Sequence, residues 1–239
     1  MYKNKLINKI AILSLTFAFT ACQNIDTNKK PVLNIQNQDT IEAKFINRDN
    51  CDQIINKDFF KICYNYKYKA AKSVAYTLEG DLVNDVNIKD RPKFYPESAI
   101  DDPYRAYVQD YYHSGYDRGH LAPDAAFDWS EDSLEATYSL ANIIPQDRDV
   151  NQHQWVKVEE HARKEAVLLG KINVINLVVY PEHPKTIGDD KVAVSKGYYK
   201  IMYNNLKNYK ECFYYENNAS LNANTLYGNK VNCQTILLK

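Results

Sequence analysis

Asp117, Arg118 and His120 place an acid, a permanent cation and a titrating base within four residues, around Gly119 in the stretch GYDRGHLAP (115–123). A polar turn hinged on the glycine could carry such a set. So could a site that handles phosphate. An imidazole with an unperturbed pKa of about 6.5 is mostly neutral at pH 7 and can take a proton. A guanidinium offers phosphate oxygens a planar fork. Asn151 follows 31 residues after His120, Glu159 eight further on, and Arg163 at i+4 from the glutamate. Each has a bland reading. An asparagine at a helix head is commonly an N-cap, and a Glu/Arg pair one turn apart is a surface ion pair worth roughly a few tenths of a kcal/mol. Asp117 is open between positioning Arg118 or His120 and bracing the backbone. His113, His153, His161 and His183 fall in no comparable pattern and read as surface residues.

Helix geometry separates Asn151 from Glu159. In a regular helix from Asn151, the glutamate lies about 12 Å further along the axis and roughly 80° around it. Both are then not expected to touch one ion. Glu159, tilted toward the helix N-terminus, is expected to act through water.

GYDRGHLAPDAAF, LANIIPQDRDVNQHQWVKVEEHAR and the later GYYKIMY resemble the DNA/RNA non-specific endonuclease family, over roughly Ser73 to Asn217. The resemblance implies a ββα-metal fold and sugar-non-specific hydrolysis of DNA and RNA phosphodiesters, leaving 5′-phosphate and 3′-hydroxyl ends. His120 matches the general base, and Asn151 the protein ligand of a single Mg²⁺, with Mn²⁺ as a substitute ion. Glu159 matches the glutamate that reaches the metal through water. Arg118 and Arg91 match arginines that contact phosphate, Asn142 an asparagine that supports the geometry, and Arg163 an arginine on the leaving-group side. The chemistry agrees, since Mg²⁺ takes oxygen ligands and keeps most of its waters, so one amide oxygen plus phosphate suffices. The alternative is a non-catalytic surface lipoprotein that binds nucleic acid. It would keep the arginines without needing His120, Asn151 and Glu159 together, and all three are present.

These residues need elements to hold them. KICYNYKYKAAKSVAYTLEG (61–80) alternates like early strands, and residues 91–107, with three prolines, read as a surface excursion. LEATYSLANIIPQ (134–146) holds an apolar stretch that Pro145 should stop. Residues 151–170 form the clearest helix: Trp155, Val158, Ala162, Ala166 and Leu169 recur at helical spacing, and Gly170 suits the stop. INVINLVVYPE (172–182) reads as a buried strand, and GYYKIMYNN and ECFYYENN as two more around a lysine-rich turn. Strands and helices mix without regular βαβ alternation. The expectation is therefore an α+β domain over 46–239, its mixed or antiparallel central sheet flanked by helices.

The remaining features concern compartment and partners. With 45% hydrophobic and 25% charged residues among 239, the chain is ordinary for a globular protein. Residues 1–21 read as a signal peptide, a basic start and then an apolar run too short to span a bilayer comfortably. FTAC, ending at Cys22, resembles a lipobox whose cysteine is acylated, with ordinary signal cleavage as the alternative. Residues 22–45 read as a polar tether. The expected location is outside the cytoplasm, as a periplasmic or cell-surface lipoprotein or a secreted protein. Removing Lys3, Lys5 and Lys9 with the leader leaves 27 bases against 30 acids, a formal charge of −3. Nucleic acid must then be met by a local basic face. Four further cysteines in an exported chain suggest disulfides, and the local pairing Cys51–Cys63 and Cys212–Cys233 closes two short segments. With no CxxC or HExxH, a structural zinc or zinc-protease site has no support. Asn218 begins an Asn-x-Ser acceptor pattern, a glycosylation site only in a host with that machinery.

Overall fold

The computed structural model describes residues 40–237. The expected leader, Cys22 and all but the end of the tether lie outside them. The chain enters through helix α1 (Thr40–Phe45), inside the stretch expected as a tether. Ile41 and Phe45 explain the difference, because they pack against Ile46 and the Cys51 cluster and draw the segment into the folded unit.

Three strands follow, β1 (Gln53–Asn56), β2 (Phe60–Asn65) and β3 (Ala70–Glu79). After a long loop come β4 (Asp117–His120), helix α2 (Glu131–Thr137) and β5 (Ile143–Gln146). A single π-helical turn (Val150–Gln154) leads into helix α3 (Trp155–Leu169). Then come β6 (Lys171–Val179), the short ribbon of β7 (Thr186–Ile187) and β8 (Val192–Ala193), β9 (Gly197–Asn204), β10 (Tyr209–Glu216), β11 (Lys230–Val231) and α4 (Cys233–Leu237).

The main sheet has seven strands in the order β1-β2-β3-β6-β9-β10-β11, and each neighbouring pair is antiparallel. Both faces are covered, which explains why its strands are apolar almost throughout. Ile62, Val74, Leu78, Val174, Met202 and Phe213 share one cluster with Trp155, Val158, Ala162 and Ala166 of α3. Their sequence neighbours Cys63, Ala75, Ile175, Ile201 and Cys212 form another with Ile46 and Ile236. Successive residues take opposite faces, so period-two alternation sorts each strand between two cores. The expected disulfides, Cys51–Cys63 and Cys212–Cys233, are both present, with Cα atoms 5.0 and 5.3 Å apart.

Two local expectations are corrected. Pro145 does not stop the apolar stretch; it lies within β5, opposite Arg118 in the two-stranded β4–β5 ribbon. In such a ribbon a strand has one bare edge, where a missing N–H costs nothing. The 91–107 segment is also no mere surface excursion. Glu97 and Ile100 are buried, and Glu97 accepts from Lys57 Nζ at 2.9 Å and Ser139 Oγ at 2.7 Å.

Candidate active site

The Asp-Arg-Gly-His block is a strand rather than a hinged turn. Gly119 pairs with Ile144, and a Cβ there would run into the Gln146 side chain, so close packing of the ribbon is what requires glycine. Strand alternation sends Arg118 and His120 to one face. Asn142 then pins the exit of β4. Its Oδ1 accepts from Ala122 N at 2.8 Å, and its Nδ2 donates to Ala122 O and Thr137 O, both at 2.9 Å. Fully buried and committed to backbone, Asn142 holds the His120 segment in place and is not placed to touch substrate.

His120 packs against Tyr138, ring centroids 5.0 Å apart, and Phe94, at 5.5 Å. Although part of the residue is exposed, its Nε2 is buried and has no hydrogen-bond partner among the described residues. Burial pushes the imidazole down to about 4; Asp124 opposes this, and Arg91 and Arg118 add to it. A buried nitrogen left without a partner needs a reason. Here the reason is chemical, since a neutral imidazole keeps one ring nitrogen able to receive a proton.

Arg118 stacks its guanidinium over Phe94, 4.6 Å from the ring centroid. No carboxylate pairs with it among the described residues, so its charge is open to an incoming anion. Arg91 differs. Its Nε lies 3.4 Å from Asp124 Oδ2, and its Nη2 donates to Asp128 Oδ2 at 3.1 Å. Asp124 also accepts from Tyr138 OH at 2.9 Å. Two acids thus compensate the charge of Arg91, the expected phosphate contact, and its field also acts on His120.

Asn151 sits in the π turn and is not an N-cap. Asp117 Oδ2 accepts from Asn151 Nδ2 at 3.1 Å and from Gln152 Nε2 at 2.7 Å. This settles the open role of Asp117 and leaves Asn151 Oδ1 without a hydrogen bond among the described residues. The wider turn advances less per residue around the axis than an α-helix does. It therefore narrows the angular offset expected between Asn151 and Glu159. Burial raises the Glu159 carboxyl above the usual range; Lys200 and Arg163 oppose this, and Asp124 reinforces it. Arg163 stands one turn beyond Glu159 on α3, with no ion-pair partner within bonding distance among the described residues.

A cleft of about 250 Å³ opens at this end of the ribbon, lined by Phe94, Tyr111, Tyr112, Tyr116, Asp117, Arg118 and Asn151. The donor chemistry fits a hard divalent cation such as Mg²⁺: the Asn151 amide oxygen, turned away from Asp117, is free of hydrogen bonds among the described residues. That ion keeps most of its waters and needs few protein ligands.

His113, His153 and His183 are exposed, as expected. His161 is not a surface residue. It is mostly enclosed, with Nε2 2.6 Å from Glu211 Oε2 and Nδ1 3.9 Å from Glu165 Oε1. Phe94, Tyr138 and Asp124 were not singled out by sequence. A faint signal existed for Phe94, one aromatic in a proline-rich stretch 24 residues before Arg118.

The family model described as DNA/RNA non-specific endonuclease matches residues 37–236. Human mitochondrial endonuclease G is 29% identical over 111 residues, covering 46% of this chain and 37% of that protein. Human mitochondrial nuclease EXOG is 31% identical over 124 residues, covering 46% and 33%. The mitochondrial nuclease of Saccharomyces cerevisiae is 30% identical over 110 residues, covering 45% and 33%. The chain thus spans about a third of the length of these curated relatives. The solved structure of an EndoG/EndoGI complex superposes with a TM-score of 0.70 at 21% identity, covering 77% of this chain and 81% of that one, which shows a shared fold.

Proposed function

The chain belongs to the DNA/RNA non-specific endonuclease family, and on that premise we propose that it hydrolyses phosphodiester bonds in DNA and RNA with Mg²⁺ and little sequence preference. The observation that carries this reading is His120, a neutral imidazole with a buried, unpartnered Nε2 two residues from an uncompensated Arg118. His120 takes the proton of the attacking water on a ring nitrogen. Arg118, held flat by Phe94, binds non-bridging phosphate oxygens and neutralises the charge that grows on them. Asn151 Oδ1 would hold the metal, with Glu159 reaching it through water. When bound, the ion supplies polarisation of the phosphate and stabilisation of the departing 3′ oxygen. Contacts led by phosphate make the reaction tolerant of sequence and sugar.

The test is digestion of plasmid DNA, single-stranded DNA and RNA with Mg²⁺ and with EDTA. Cleavage of all three only with the metal is expected. Tight binding without cleavage would instead favour the non-catalytic surface lipoprotein.

We further propose that the protein works outside the cytoplasm and is acylated at Cys22, as a periplasmic or cell-surface lipoprotein. The basic and apolar leader ending in FTAC supports this, as do two disulfides of a kind that persist in oxidising compartments.

A further inference from the structure

Lysine is almost never fully buried unless its charge is met. Lys200 is fully buried, on the α3-facing side of β9. Its Nζ donates to Asn176 Oδ1 at 2.9 Å and to Tyr76 OH at 3.2 Å, and it lies 4.5 Å from the Trp155 ring centroid. The ammonium accepts no hydrogen bond, so it turns the oxygen of the Asn176 amide toward itself. The other end, Nδ2, is thereby aimed at Leu121 O and donates to it. Leu121 follows His120 directly. Trp155 opens α3, immediately after the π turn that carries Asn151 and four residues before Glu159. The Glu159 carboxylate favours the Lys200 charge, and the Arg163 cation opposes it.

We propose that Lys200, acting through Asn176 and Trp155, is a positioning residue that registers the peptide after His120 against the helix carrying Asn151 and Glu159. The proposal rests on the nuclease reading above. A buried cation is weak evidence of a stabilising device, since the cost of taking its charge out of water offsets much of what its partners return. Registration does call for a cation. A displacement of about 1 Å between catalytic groups can cost on the order of 100-fold in rate. Four hydrogen bonds among Lys200, Asn176, Tyr76 and Leu121, and one cation–ring contact with Trp155, link the two halves at this point.

The experiment compares Lys200→Met and Asn176→Asp with wild type, using the full chain. It measures kcat and KM for plasmid cleavage with Mg²⁺ together with the thermal midpoint. Lys200→Met leaves Asn176 Oδ1 without its donor, so its midpoint should fall; at temperatures where it stays folded, KM should hold within about twofold while kcat falls about tenfold or more. Asn176→Asp keeps an acceptor for Lys200 but removes the N–H that Leu121 O accepts, so it should show the same loss of kcat at unchanged KM. A kcat within twofold of wild type in either folded variant overturns the proposal. So does a loss that merely tracks the folded fraction, or a failure of both variants to fold. If only Lys200→Met fails to fold, Asn176→Asp decides. A wild type that cleaves no nucleic acid removes the nuclease reading and this proposal with it. A cleaving wild type beside unimpaired variants removes this proposal alone.

Discussion

Asp117 Oδ2 accepts a hydrogen bond from Asn151 Nδ2 at 3.1 Å, and this one contact sets which end of the amide faces the cleft. A carboxylate can only accept, so the nitrogen must turn toward it and the oxygen away. Partners of this outer kind typically matter about 10- to 100-fold in metal affinity. Asp117→Ala should therefore raise the Mg²⁺ concentration for half-maximal cleavage by that order, with nucleic-acid affinity in EDTA little changed. A Mg²⁺ titration of the variant checks it, and an unchanged midpoint would contradict the role.

His120→Ala should keep the fold and substrate binding yet lose about 10²–10⁴-fold in turnover. In the wild type, burial holds the imidazole down at about 4, so the active neutral form persists well below the pH at which an ordinary histidine protonates. Activity should fall on the acid side near that value. Stability has the same sign. The folded pKa lies below the unfolded one, so the unfolded chain binds the extra proton first. The contribution of the neutral ring is complete above about pH 6.5 and is lost as pH drops toward 4. Thermal midpoints across that window should decline less steeply in His120→Ala than in wild type.

The two arginines should separate. Arg118→Ala should weaken binding and cleavage of all sequences about equally and reduce the salt dependence of binding by roughly one charge. Arg91 sits between Asp124 and Asp128, so Arg91→Ala removes a cation that acts on His120 and leaves Asp124, which also acts on it, less compensated. The imidazole then protonates more readily, and the acid limb of the pH–rate profile should move to higher pH. Identical profiles for Arg91→Ala and wild type would show that its field does not reach the base.

Each disulfide closes a short loop, spanning 12 and 21 residues. Paired Cys→Ala replacement at either bridge should lower stability by roughly 2–4 kcal/mol. Denaturant titration reads this directly. Alkylation without reductant should label none of Cys51, Cys63, Cys212 or Cys233.

Cys22 is expected as the acylated first residue of the mature chain. Intact mass spectrometry of the protein from its native membrane fraction tests it. An N-terminus elsewhere without an acyl chain rejects lipidation and leaves export standing.

Sequence alone carried the chemistry of the Asp-Arg-Gly-His block, the α3 face from Trp155 to Ala166, the main strands and both disulfide pairings. All of these are encoded by residue type at short spacing, where helix and strand periods or a closed loop leave few alternatives. What lay beyond it depends on neighbours far apart in the chain. Asp117 and Asn151 meet across 34 positions, and Lys200 and Tyr76 across 124. Lys200 and Asn176 did leave a trace, polar residues set among apolar ones in their strands, but alternation cannot tell an outward lysine from one enclosed by α3. The depressed pKa of His120 and the engagement of Arg91 are likewise properties of surroundings, since desolvation and field act only once distant segments have closed around the group. The π turn at Val150–Gln154 was invisible for a related reason. Its sequence continues smoothly into α3, with no residue that marks a wider first turn.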